Sequence, residues 1–321
     1  MPKEGLELVP KIHSVIAKTK AKRILIHLPA GLSHLAFELE SKRPKGKSFV
    51  FWNEGCYGAC DIPHLQAKFF KCKLIISVGH SPMRHWNRLA VPTVFVEYSK
   101  GKSEDLKLPE IPGKRIVLVS SNQFLHLIPE AKRQLKKMGK LPLVGKSGVM
   151  CSVDGQVTGC DFVSAVQFRK KADSVLILGE GNFHSGGLVE AAGLPCYQVD
   201  PAEGVLRKLE PDLKRKNRLN FLYGMDVFGI LVSAKPGQEH LSLAFSVKEK
   251  LEALGKKAII LGGDTFSPMT IGNFPEIQVV ITCACPRISD DSENYSLPIL
   301  PAEDVLKSLS LSGKKDKFFS Q

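Results

Sequence analysis

The sequence predicts an α/β protein of three related small domains with parallel sheets in a pseudo-threefold arrangement. Short β-branched runs alternate with helix-like stretches along the whole chain, as strands do when each is joined to a parallel neighbour through a helix. That alternation occurs in three successive rounds. Corresponding elements also recur at a fixed interval, the signature of repeated units: "PTVFV", "LPCYQV" and "SLPIL" begin at Pro92, Leu194 and Ser296, each 102 residues after the last.

Each unit opens on a strand: "RILIHL" (23–28), "RIVLVS" (115–120) and "GILVSA" (229–234). These are short continuous apolar runs, which suit strands covered on both faces. The third strands are "KLIISV" (73–78), "DSVLIL" (173–178) and "IQVVITC" (277–283), and the series from Pro92, Leu194 and Ser296 supplies the fourth. Each unit therefore reads strand, helix, strand, helix, strand, helix, strand. The units span 1–110, 111–214 and 215–321, within the ordinary size range of domains. Boundaries fall near "KLPEIPGK" (107–114) and "RKLEPDLKRKNR" (207–218), where proline and charge interrupt the apolar pattern. One larger doubly wound sheet is the alternative, and the recurring intervals favour three units.

With 321 residues and 43% hydrophobic content, the chain can build its cores without covalent staples. No run approaches the ~18 apolar residues that a bilayer span needs, and the first residues lack a leader pattern. The expectation is a cytoplasmic protein with no membrane partner. In a reducing compartment its eight cysteines read as core residues, metal ligands or catalytic groups rather than disulfides. A net charge of +13 favours an acidic partner. The basic clusters "KTKAKR" (18–23), "AKRQLKKMGK" (131–140) and "KRKNR" (214–218) lack interleaved aromatics. They read as solvated faces, and no direct nucleic-acid function is expected.

The cysteines fall into the repeat. Cys60 lies 14 residues before Leu74 and Cys160 lies 14 before Ser174, which makes them equivalent positions. The third unit has no cysteine there and carries Cys283 and Cys285 at the end of its third strand, in "TCACPRISDD". Ligands of open α/β sheets gather beyond the carboxyl ends of strands, so loops from three related units are placed to face one centre with one thiolate each. Three thiolates are too few for a closed zinc site and suit a cluster or metal with one open position. The chain also has no pair of C-x₂-C knuckles. Cys72, Cys151, Cys196 and Cys283 read as structural thiols. Cys56 reads as a thiol that supports the site from behind its ligands, or as a plain loop residue. His80 and His184 follow third strands and read as structural histidines. "GEGNFHSGG" (179–187) fails as a dinucleotide loop, because the third glycine of G-x-G-x-x-G is His184.

The motifs "YGACDIP", "GQVTGCDF" and "ACPRISDD", in this order, resemble the three cysteine motifs of the archaeal-type diphthamide-synthesis enzymes. The similarity continues through "LPAGL" (28–32), "VGHSPM" (78–83), "GEGNFHSGG", "VDP" (199–201), "KPGQEH" (235–240) and "LPAED" (300–304). Ala30 stands where that family commonly has an acidic residue. The resemblance implies a [4Fe-4S] cluster held by Cys60, Cys160 and Cys285, with S-adenosyl-L-methionine at the unique iron. It implies a non-classical radical transfer of the 3-amino-3-carboxypropyl group to a histidine of elongation factor 2, the first step of diphthamide formation, carried out by a homodimer. Placing the methionine moiety among the third-strand ends makes Gln238, Arg287, Asp290 and Asp291 candidates for contacts with it or with the target histidine. Capping and surface pairing are their alternative roles. No sequence feature names the reductant. A quinolinate-synthase-like iron-sulfur dehydratase shares the three-domain, three-cysteine plan, but the context "ACPRISDD" argues against it. A non-catalytic subunit of a diphthamide-synthesis complex is disfavoured by retention of all three cysteines.

Overall fold

The computed structural model describes residues 5–83 and 89–312, the side chains of 214–216 and 310–312 excepted. The expected outer limits of the first and last units, at 1 and 321, and part of the basic cluster at 214–218 lie outside the described residues. The chain divides into two compact units between Glu210 and Pro211.

The first unit contains two sheets. Strands β1 (Arg23–His27), β2 (Ser48–Phe51), β3 (Leu74–Val78) and β4 (Thr93–Val96) form a sheet of order β2-β1-β3-β4. Every pairing in it is parallel, with Leu25 opposite Ile75 and Ile76 opposite Val94. Strands β5 (Arg115–Ser120), β6 (Leu141–Leu143), β7 (Ser174–Leu178), β8 (Cys196–Val199) and β9 (Leu206–Leu209) form the second, in the order β6-β5-β7-β8-β9. The second unit of the chain holds the third sheet, built from β10 (Val227–Val232), β11 (Lys257–Gly262), β12 (Val279–Thr282) and β13 (Ile299–Pro301) in the order β11-β10-β12-β13. The first four strands of each sheet thus follow one plan: second, first, third, fourth. The nine strands whose positions the sequence gives are present, each within three residues of the expected ends.

The apolar runs are continuous because each sheet is covered on both faces. In the first sheet Ile24, Ile26, Ile76 and Val78 pack with Leu8, Ile12 and Ile16 of the helix Leu8–Lys18. The intervening Leu25 and Ile75 join Ile62, Ala67 and Cys72 on the other side. The second sheet divides in the same way. Ile116, Leu118, Leu176 and Leu178 meet Ala131 and Leu135 of the helix Ile128–Lys137, while Val117, Val119, Val175 and Ile177 meet Ala165, Leu188 and Cys196. In the third, Phe228, Ile230, Val279 and Ile281 face Ala244, Val247 and Leu251, and Leu231 and Val280 face Ile271 and Ile277. This is the two-residue period of a pleated strand read out on two cores.

Two elements depart from the sequence expectation. The helix Leu8–Lys18, absent from the expected units, buries Leu8, Ile12 and Ile16, an i, i+4, i+8 stripe. Strand β9 lies where a linker was expected. It pairs antiparallel with β8, Cys196 opposite Leu209, so the second sheet runs on into the charged stretch. The turn before it is built from Asp200, whose carboxylate accepts from Ala202 N at 2.9 Å, and from Gly204 at φ +66. Among the described residues no helix is long and apolar enough to cross a membrane.

Leu176, fully buried in the middle of β7, tests the double-sided core. Leu176→Ala is expected to cost about 2–5 kcal/mol by chemical denaturation, because it removes methyl groups and leaves a void. Leu176→Met should cost less than about 1.5 kcal/mol, because the volume is kept.

Candidate functional site: loops at the carboxyl ends of the strands

Parallel pairing delivers the carboxyl ends of all strands in a sheet to one edge, and a 2-1-3-4 order reverses the chain's direction of travel between the first and third strands, where ligands of such sheets bind. The cysteine loops arise at these edges. Cys60 lies beyond β2, Cys160 beyond β6 and Cys285 beyond β12. Cys60 and Cys285 are half-buried and Cys160 is exposed, whereas Cys72, Cys151, Cys196 and Cys283 are buried. Burial pushes the Cys196 and Cys283 thiols up to about 12, with the Glu190 carboxylate adding to the effect at Cys196. Burial also raises Cys72. These three are protonated packing groups, as expected from sequence. Cys60 and Cys160 lie in the first compact unit and Cys285 in the second. Among the described residues no group of three or more His, Cys, Asp and Glu side chains is arranged to hold a single metal ion.

Cys60 sits in the 3₁₀ turn Ala59–Asp61, which is closed by Asp61 N donating to Gly58 O at 3.1 Å. Asp61, 3% exposed, accepts from Tyr57 N at 3.3 Å. Cys160 stands at the tip of a tight turn in which Thr158 N donates to Asp161 O at 3.1 Å and Asp161 N returns a bond to Thr158 O at 3.4 Å. Thr158 Oγ1 lies 3.5 Å from Cys160 Sγ. The Asp161 carboxylate, 5% exposed, accepts from Met150 N at 2.9 Å and from Val163 N at 3.0 Å. A Cβ at Gly148 would stand 2.1 Å from Asp161 Oδ2, so only glycine lets the loop close on this group.

Polar contacts join the first two sheets near these loops. Gln156 Oε1 accepts from Ser152 N at 2.9 Å and Val153 N at 3.2 Å, and its Nε2 donates to Ser81 Oγ, beyond β3, at 3.0 Å. Asn122 Nδ2 donates to Gly79 O at 3.2 Å, and Lys100 pairs with Glu180 at 2.7 Å. A histidine group lies here too. His80 Nδ1 is 3.9 Å from Cys56 Sγ, and its ring centroid is 6.3 Å from that of the buried His27, whose Nδ1 is 3.3 Å from Ser77 Oγ. Burial lowers His80 to about 4, with the charge of His184 as a second cause, and burial alone lowers His184 to about 4. Asp61, Asp161, Gln156 and Ser81 were not singled out from sequence. The only linear signal was the Cys-Asp pair recurring at 60–61 and 160–161.

In the third sheet, Gln238 follows β10 and Arg287 follows β12, so they flank the point where the strand order turns. They are 8% and 6% exposed. Arg287 Nη1 donates to Asp290 Oδ2 at 2.7 Å, while its buried Nε has no hydrogen-bond partner among the described residues. The Cys285 carbonyl accepts from Thr282 Oγ1 at 3.2 Å and Ile288 N at 3.2 Å. Asp290 is thus tied to Arg287, and Asp291 is exposed.

Residues 28–316 match the family model described as a diphthamide synthesis protein. The chain belongs to the diphthamide synthesis family. A relative from Pyrococcus horikoshii, named 2-(3-amino-3-carboxypropyl)histidine synthase, is 31% identical over 313 residues, covering 94% of this chain and 90% of that one. The Caenorhabditis elegans subunit 1 of the same synthase is 27% identical over 306 residues, 91% of this chain and 77% of that protein. The crystal structure of Dph2 from Pyrococcus horikoshii with a 4Fe-4S cluster superposes with a TM-score of 0.81 at 27% identity, over 97% of this chain and 91% of that one.

In this diphthamide synthesis family member His80 and His184 give a pH signature. A base whose folded pKa is depressed contributes stability that is fully present above its unfolded value of 6.5 and is lost as pH falls from there toward about 4. Imidazole resonances of His80 and His184 should stay neutral at pH 6 in the folded protein. Stability should decline between pH 6.5 and 4, less steeply in His184→Gln. Protonation of either ring near pH 6.5 would contradict the burial described.

Proposed function

We propose that the chain is a 2-(3-amino-3-carboxypropyl)histidine synthase. It transfers the 3-amino-3-carboxypropyl group of S-adenosyl-L-methionine to a histidine of elongation factor 2, the first step of diphthamide formation. The observation that carries this reading is the placement of Cys60, Cys160 and Cys285, one beyond a strand of each sheet and each more open than the core thiols. The donor set fits the group: soft thiolates suit iron-sulfur clusters, and three of them leave one iron of a [4Fe-4S] cluster open to a substrate. When bound, the cluster would supply the electron that breaks the bond from sulfur to the methionine γ-carbon.

The protein's own residues bind and orient. Arg287, buried and with an unspent N–H, is suited to the methionine carboxylate, and Asp290 holds its guanidinium in place. Gln238, buried at the neighbouring strand end, supplies a neutral amide to the same end of the sheet. Asp291, exposed, is left for the ammonium or for the incoming histidine. The net charge of +13 favours approach of an acidic face of the protein substrate, and the working assembly is a homodimer. The strand plan shared by the three sheets supports reading the three repeats as three domains.

Cys60→Ala, Cys160→Ala and Cys285→Ala should each lose the brown absorbance of anaerobically reconstituted protein together with activity. Cys72→Ala and Cys196→Ala should keep both where they fold. Full iron content in all three of the first set would end the three-ligand reading.

Reduced protein given S-adenosyl-L-methionine alone should release 5′-methylthioadenosine, because a fixed site aligns one of the three sulfur bonds with the electron source. Chromatography of the nucleosides decides it, and 5′-deoxyadenosine as the main product would refute the proposed cleavage. Arg287→Ala should raise the KM for S-adenosyl-L-methionine at least tenfold, about 1.4 kcal/mol, the loss expected for a charge-assisted hydrogen bond.

A further inference from the structure

We propose that Asp61 and Asp161 are positioning residues that clasp the loops presenting Cys60 and Cys160; this rests on the functional reading above. Each directly follows its cysteine, and the two stand 100 residues apart in equivalent places of the repeat. Each is a carboxylate taken almost fully out of water, which costs several kcal/mol unless strong donors face it. The donors are backbone N–H groups of the cysteine's own loop. Asp61 reaches back across Cys60 to Tyr57 N. Asp161 reaches back to Met150 N with one oxygen and forward to Val163 N with the other, so Cys160 lies inside a segment closed at both ends. Hydrogen bonds to a carboxylate are about twice as strong as neutral ones, and the two at Asp161, at 2.9 and 3.0 Å, are closer than the one at Asp61, at 3.3 Å.

The clasp occurs where the tether is long. Cys60 lies nine residues beyond the end of β2 at Phe51, and Cys160 lies 17 beyond the end of β6 at Leu143. Loops of that length do not hold a side chain to the tolerance a multi-thiolate site needs without internal fastening. Cys285 lies three residues beyond Thr282, the end of β12, and its backbone is held by the Thr282 hydroxyl. Pro286, and no aspartate, follows it. In the third loop the strand itself does the holding.

The test compares anaerobically reconstituted wild type with Asp61→Ala, Asp161→Ala, Asp161→Asn and Asp154→Ala, reading the rate of iron loss to a ferrous chelator and the thermal midpoint of the iron-free protein. Asp154 is the control. It accepts from Ser147 N at 3.1 Å and Lys146 Nζ at 2.8 Å, at the part of the same loop that leaves β6. Asp61→Ala and Asp161→Ala should lose iron at least about tenfold faster, the usual cost of removing a group that orients a ligand. Asp161→Asn, which keeps one acceptor oxygen, should fall between, and Asp154→Ala should stay near wild type. Equal rates for Asp161→Ala and Asp154→Ala, or wild-type rates throughout, would overturn the proposal. If the alanine variants do not fold, Asp161→Asn and Asp61→Asn decide it, and wild-type rates in both would overturn it. A wild type that takes up no iron would instead remove the functional reading, and the clasp with it. Normal loading with unchanged variants removes the clasp alone.

Discussion

Parallel strand pairing, repeated in the same order in three sheets, is the constraint on which the rest of the molecule depends. A parallel ladder needs a crossover between every pair of strands, and crossovers cover both faces. The consequence in composition is a strand such as β7, buried at every position and apolar throughout but for Ser174. The consequence in geometry is that, within each sheet, the carboxyl ends of the parallel strands leave from one edge. Reactive side chains can then be added to the loops at that edge without disturbing the cores, because Ile177 and its neighbours pack the same way whatever the loop beyond Leu178 contains.

This division explains how eight cysteines of one chemistry take different roles. Cys72, Cys196 and Cys283 lie among isoleucines, leucines and alanines, where the charged form is disfavoured and the thiol is a small apolar filler. Cys60, Cys160 and Cys285 are on the loop side, half-buried or exposed. Sequence distance does not separate the classes: Cys283 and Cys285 are two residues apart, and one closes a core while the other opens the loop.

How much could be read from the chain follows from where each signal lies. The first, third and fourth strands of each repeat were legible, because burial on both faces forces an apolar run and the repeat shows it three times. Strand β6 was not: its three residues are Leu-Pro-Leu at a sheet edge, where neither length nor β-branching is demanded. Strand β9 was hidden in "VLRKLE", because an added antiparallel edge strand needs backbone partners more than apolar side chains. The helix Leu8–Lys18 was legible and was missed, since Leu8, Ile12 and Ile16 repeat at helical spacing. At the site, the equivalence of Cys60 and Cys160 came from spacing alone. The role of Gln156 had no such route. Its bond to Ser81 joins positions 75 residues apart, in loops that leave two different sheets, and a lone glutamine carries no periodic mark.

The three repeats share a strand order and differ in their loops, and the largest difference is in the third. Its cysteine leaves a central strand where the other two leave edge strands, and beside it stands an arginine buried to 6% exposure. A buried guanidinium is a poor structural choice. Its Nε donor goes unmet among the described residues, which costs about 1–3 kcal/mol, and Asp290, with which it pairs, is itself more than a third exposed. Replacing such a group by an apolar residue of similar volume is often neutral or stabilising, so packing does not account for its presence. Under the proposed function the expense has a source: the first two loops need only present a thiol, and their buried carboxylates are spent on their own backbone. On that reading the third also receives the zwitterionic amino-acid end of the proposed cosubstrate. An arginine held ready at the turning point of the sheet, with one N–H still to be satisfied, is what that task requires.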